Sequence, residues 1–349
     1  MVVDNTQPEG ENPIGEVVVE FLGTQTSSNS ASRRDLGFTG QLGGKWYAVY
    51  GDTLWCDTGI TEPSEDTEGF HGMVRNSLSA LTDDPLVVED LHLNDDDPVP
   101  HQKQLVPFNE DWGETNMFGF GGTGVVETDP DNATGVLYIL VNDNEHYKGA
   151  GVARIELVND VPTVTDRFGE SGYWWDGDSV PKYGDVATYR DVNSEYIYIL
   201  GHPPNHLTEF PDKLYVYMAR VPAQDAFDLE KYEYWWGREE GWKSEALTTC
   251  NCETAVMWGV GQGQMVYNNH FGAYMYVYLD LSGTVYLKTA PSPEGPWAEG
   301  KEIYKAEPVD GGLVYAGIAY PHLDETGKTL TIGFTNCNYI QVIKVTFGD

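Results

Sequence analysis

Residues 33–55 read RRDLGFTGQLGGKWYAVYGDTLW, and the Gly43-Gly44 doublet at the centre decides how the stretch folds. Glycine accepts positive φ, so a Gly-Gly pair between two runs rich in aromatic and aliphatic residues predicts a two-residue hairpin turn. Counting outward from that turn, Leu42 faces Lys45 and Asp35 faces Asp52. This position falls on a non-hydrogen-bonded pair, where Cβ atoms approach to roughly 4.5–5.5 Å. A β-bulge would instead shift the register and leave both aspartates as solvated strand-end residues.

Like charges directly opposite one another destabilise a sheet, so a purely structural role explains this pair poorly. Glycoside hydrolysis uses such an arrangement. Retaining enzymes place two carboxyl groups about 5–5.5 Å apart, one to attack the anomeric carbon and one to protonate the leaving oxygen; inverting enzymes leave roughly 6.5–9.5 Å for a water. The hairpin register predicts the retaining spacing.

The rest of the chain reads as all-β. Strand-like runs recur between turn clusters, and no stretch sustains a helical period. They fall into five sets: the hairpin with 76–81; then 118–126, 136–142, 150–157 and 161–164; then 185–190, 196–201, 213–220 and 232–235; then 264–267, 273–279, 284–289 and 302–304; and finally 314–320, 329–335 and 339–347. Five sets of this length predict a five-bladed β-propeller. The last set lacks a fourth strand. The isolated run Glu16 to Leu22 (EVVVEFL) supplies one, which closes the ring and removes two open sheet edges. Residues 1–15 read as a mobile tail and 16–349 as one catalytic domain. A β-sandwich or β-helix is the alternative.

The run R-D-x-G at Arg34 to Gly37, followed by an aromatic strand ending in Gly51-Asp52-Thr53, resembles the opening of the five-bladed β-propeller glycosidases that include bacterial endo-D-arabinanases, a family once filed as a domain of unknown function. The resemblance implies that Asp35 and Asp52 are the catalytic pair, with Asp52 as nucleophile and Asp35 as acid/base, and that the substrate is α-linked D-arabinan cut internally. The residues alone suggest the opposite order, because Arg33 lies on the strand face of Asp35 and would keep it ionised. In a propeller the starts of the inner strands meet at one channel mouth. On that logic Phe118, Asp185, Glu253 and His322 are candidate substrate-binding residues, joined by Arg34 and Trp55 of the hairpin and by Asn76 at the entry to the third strand. Arg75 reads either as a pocket residue or as a surface ion pair, and Glu253 or Asp185 would complete a three-carboxylate inverting site.

With 20 Lys+Arg against 55 Asp+Glu, the formal charge of -35 repels nucleic acid and anionic membranes and suits a neutral glycan. The 22 Tyr and 10 Trp supply faces for sugar rings but also pack well in strands, the commoner reason for them. Cys56, Cys250, Cys252 and Cys337 have no zinc-site spacing, and His202, His206 and His270 have no partner at ligand spacing, so neither metal nor cofactor is expected. The Asn132-Ala133-Thr134 sequon and the acidic surface fit a secreted monomer whose signal peptide has been removed. A glycan-binding propeller without catalysis, a lectin, would use the aromatic residues and need no opposed carboxylates.

Overall fold

The computed structural model describes residues 3–57, 59–60, 62–94, 100–144 and 146–348; residues 58, 61 and 95–99 of the two long loops of the first blade, and the first two residues of the tail, lie outside this set. Among the described residues the fold is a five-bladed β-propeller. From the channel outward, blade 1 orders Ser32–Leu42, Lys45–Trp55, Ser77–Leu81, Val87–Asp90 and Thr26–Ser27. Blade 2 orders Val126–Asp129, Thr134–Asn142, Tyr147–Val158 and Val161–Arg167. Blade 3 orders Ala187–Arg190, Tyr196–Gly201, Tyr215–Pro222, Glu233–Trp235 and Trp242–Lys243. Blade 4 orders Gln264–Asn268, Ala273–Leu279, Thr284–Ala290 and Lys301–Lys305. Blade 5 orders Val314–Tyr320, Thr329–Asn336, Tyr339–Phe347 and, outermost, Val17–Thr24.

The N-terminal strand pairs antiparallel with the last one, from Val17 opposite Phe347 to Thr24 opposite Gln341, so the two ends of the chain close the ring in one sheet. Residues 3–15 run along blades 3 and 4. The Asn5 amide donates to the Cys252 carbonyl, and Asn12 Nδ2 bridges the carbonyls of Leu287 and Glu299. All four cysteines are free thiols.

Burial explains the sequence pattern. The apolar core divides into five clusters, and each fills one seam between neighbouring blades. Every blade is therefore covered on both faces, which turns its middle strands into near-continuous apolar runs instead of alternating ones. Tyrosine suits such a seam because its ring fills volume while its hydroxyl reaches a partner. Tyr138 and Tyr232 share a hydrogen bond at 3.0 Å, Trp175 donates to Tyr234 at 2.9 Å, and Tyr50 donates to Gln25 at 2.6 Å. Seam packing thus takes up much of the aromatic content.

The inner strands of successive blades touch in cyclic order around the axis. Their C-terminal ends converge on one mouth of the channel, where residues of four of them and the turn that follows the fifth line a shared cavity. Their starts lie at the other mouth, which carries the aspartate pair. Between the two, Gln264 ties blade 4 to blades 1 and 5: its Nε2 donates to the Thr39 carbonyl and hydroxyl, and its Oε1 accepts from the amides of Thr39 and Ala319.

Candidate active site

The hairpin of blade 1 keeps the expected register from Leu42 opposite Lys45 to Phe38 opposite Val49, and then departs from it twice. Leu36 pairs with Tyr50, which leaves Gly37 unmatched; Arg34 pairs with Thr53, so Asp35 alone spans Gly51 and Asp52. One bulge cancels the other. The clean opposed pair expected from the turn is replaced by two compensating bulges, which still return Asp35 to the level of Asp52. Leu36 at φ 61° and Gly37 at φ 102° carry the first bulge. Gly51 carries the second, and a Cβ there would lie 2.4 Å from Asp35 Oδ1. The carboxyl group of Asp35 therefore rests against a bare Cα.

Asp35 is enclosed. Tyr315, at the start of the blade 5 inner strand, donates its hydroxyl to Asp35 Oδ2 at 2.6 Å, while Oδ1 is buried with no hydrogen-bond partner. Burial pushes the carboxyl up to about 6; the Tyr315 hydrogen bond opposes the rise, and the charge of Asp52 adds to it. Asp52 is more open, with 45% of its side chain exposed, and Arg75 Nη1 stands 3.6 Å from its Oδ1. Burial also raises Asp52 above the ordinary carboxylate range, and Arg75 opposes that rise. Two carboxyl groups are thus held in different environments, one toward its acid form and one beside a cation.

Arg33 does not set this difference. Its guanidinium turns to the carbonyls of Pro63 and Asp66 and to the Tyr339 ring, so the argument that it keeps Asp35 ionised fails. Arg34 is buried, pairs with Asp90 at 2.7 Å and lies over the Tyr50 ring; it braces the blade from inside and cannot reach a substrate. Asn76 is buried, with its Oδ1 accepting from the amides of Leu105 and Val106 at 2.9 Å each, which fastens the long loop to the blade, and its Nδ2 without a partner. Trp55 stacks on His101 at 4.9 Å and donates to the Gln102 carbonyl. Phe118 is buried in the seam between blades 1 and 2.

Asp185 precedes the inner strand of blade 3 at the mouth of the aspartate pair. It accepts from the His202 amide and pairs with its Nδ1 at 3.1 Å. Two of the other candidates lie elsewhere. Glu253 is exposed at the outer edge of blade 3, where its carbonyl meets Gly237 and the Asn5 side chain. The apolar run after it pairs with the third strand of blade 3 before blade 4 begins, so Glu253 does not start an inner strand. His322 follows the end of the last inner strand and therefore stands at the opposite mouth, stacked on Trp46. Applied to Val314–Tyr320, the rule that inner-strand starts build the pocket points to Tyr315, which sequence reasoning missed. Arg75 was legible only as a choice between pocket and surface pair; its partner is Asp52.

The fold and this mouth define a five-bladed propeller with a paired-carboxylate site. The chain belongs to the family described as domain of unknown function (DUF4185), which matches residues 160–345, a stretch that excludes the Asp35–Asp52 hairpin. No curated protein sequence matches it. Among solved structures it is similar to a candidate hydrolase from Bacteroides ovatus, with 15% identity over 98% of this chain and 94% of that one and a TM-score of 0.63. It is also similar to a GH43_1 enzyme from Xanthomonas citri complexed with xylotriose, with 12% identity, 94% and 89% coverage and a TM-score of 0.52. A GH43 β-xylosidase/α-arabinofuranosidase from a compost microbial metagenome matches with 13% identity, 95% coverage of each chain and a TM-score of 0.51. At these identities the likeness is one of fold.

Proposed function

We propose that the protein is a secreted glycoside hydrolase that cleaves furanosidic linkages in a neutral polysaccharide, α-D-arabinan above all, by a retaining mechanism. The observation that carries this reading is the division of environments between Asp35 and Asp52. Asp52, ionised beside Arg75, attacks the anomeric carbon and forms a glycosyl-enzyme, while Asp35 gives its proton to the departing oxygen. The carboxylate left on Asp35 then takes a proton from water as that water displaces the sugar from Asp52. A group that alternates between acid and base works best with a pKa near the working pH, and burial has moved Asp35 toward that range.

The order of roles agrees with the resemblance of the R-D-x-G hairpin to endo-D-arabinanases. Neighbours of the same fold are glycosidases, two of them described with xylotriose bound, which supports an uncharged oligosaccharide as ligand. The excess of acidic residues argues against polyanionic glycans. The test is incubation with D-arabinan, arabinogalactan and galactofuranan, with NMR of the first anomer released. Retention of configuration is expected, with loss of turnover in Asp35→Asn and Asp52→Asn. Undiminished turnover in either variant, or no sugar released from any of the three, would overturn the reading.

A further inference from the structure

The mouth opposite Asp35 and Asp52 opens into a cavity of about 630 Å³, within the usual range of small-molecule sites. Gln264 and Thr39, hydrogen-bonded to each other, form part of its lining, and neither Asp35 nor Asp52 reaches it. Part of its wall is aromatic: Trp46 and His322 stack at 4.8 Å with their planes 19° apart. His322 Nδ1 is buried and has no partner, and burial lowers this imidazole to about 4, with the charge of Asp83 opposing, so it is neutral at pH 7.

The charged side chains around the cavity are mostly spent on the protein. Arg190 donates to the carbonyls of Asp191, Ser194 and Tyr196, Glu127 accepts from the Gly43 amide, and Asp324 accepts from Thr326 and Thr329; Glu325 is exposed. Among the described residues no group of three or more His, Cys, Asp or Glu is arranged for a metal ion. Between these groups the Trp46–His322 stack offers a flat aromatic patch that carries no charge of its own. Such a surface suits a ligand with a flat apolar face and hydroxyls at its edge.

We propose that this cavity is a second carbohydrate-binding site, which holds a short uncharged glycan segment against Trp46 and His322 at the mouth opposite the carboxylate pair. The kind of sugar rests on the glycosidase reading; the site itself does not. The experiment measures binding of xylotriose, α-1,5-arabinotriose and β-1,3-galactotriose by calorimetry and saturation-transfer NMR. It uses the full chain carrying Asp35→Asn and Asp52→Asn, so that no probe is consumed. Trp46→Ala is expected to weaken at least one probe by about tenfold or more. Val192→Arg, which places a long side chain at an exposed lining position, is expected to do the same without touching the packed wall. In the otherwise native chain neither substitution should change hydrolysis of a short substrate.

The absence, at millimolar probe, of any binding that both substitutions weaken would overturn the proposal. A chain that hydrolyses arabinan yet shows no such binding loses this site and keeps the hydrolase reading. A chain that hydrolyses nothing but loses binding with Trp46→Ala keeps this site and loses that reading.

Discussion

Tyr315 donates its hydroxyl to Asp35 across the seam where the last blade meets the first. The two residues are separated by almost the whole sequence, and only ring closure brings them together. The bond stabilises the ionised carboxylate, so it lowers a pKa that burial has raised. In Tyr315→Phe the Asp35 pKa is expected to move above its present value of about 6. On the proposed mechanism kcat/KM requires protonated Asp35, so its basic limb should shift to higher pH. A pH–rate profile checks this, and an unmoved basic limb would remove Asp35 from the acid role.

Asp35 also links stability to pH. Its folded pKa of about 6 lies above the ordinary 3.8, so between these values the folded state binds more protons than the unfolded one. Stability from this group is fully present below about pH 4 and is lost as the pH rises through 6. At 1.36 kcal/mol per pKa unit the loss is roughly 3 kcal/mol at most. Asp35→Asn is therefore expected to melt a few degrees above the parent at pH 7 and level with it near pH 4, while turnover falls by orders of magnitude. Melting curves across that pH range read the difference directly.

Arg75 opposes the rise in the pKa of Asp52. Removing the cation in Arg75→Met should raise it, so the acidic limb of kcat/KM moves to higher pH and the profile narrows from that side only. The surface-exposed pair is expected to change stability by about 1 kcal/mol or less. A profile shifted on the basic limb instead would mean that the two aspartates exchange roles.

The blades were legible because burial on both faces writes long apolar runs, and runs such as Ala273–Leu279, Tyr196–Gly201 and Tyr339–Phe347 have the bounds the sequence gives them. The outer strand Val87–Asp90 was not, since it is short and half acidic and owes its place to the Arg34–Asp90 pair inside the blade. The same pair explains why Arg34, adjacent to Asp35 and part of the motif, is not a substrate contact. Alternation along a strand sends neighbours to opposite faces, and the compensating bulges at Gly37 and Gly51 are backbone events with no side-chain signature except glycine itself. Tyr315 and Arg75 come from other strands, and their relation to the aspartates exists only in the closed ring.

Gly51 offers the most local test of the site. Asp35 can lie flat against the neighbouring strand because position 51 has no Cβ; one placed there would stand 2.4 Å from Asp35 Oδ1 and 3.0 Å from Leu36 Cδ1. The first separation is too short to persist and the second is tight against a Leu36 side chain held in the packed seam between blades 5 and 1, so the free end of Asp35 has to move. Moving it breaks the 2.6 Å contact with Tyr315. Gly51→Ala is therefore expected to keep the propeller, at a cost of about 1–3 kcal/mol for overpacking, and to lose about 100-fold or more in kcat, as misplaced catalytic groups do. The pair Gly51→Ala and Gly51→Ala/Asp35→Gly separates the effects, because removing the Asp35 side chain should recover most of the stability and none of the activity. A Gly51→Ala variant that turns over normally would show that the close approach of Asp35 to this strand has no part in the chemistry.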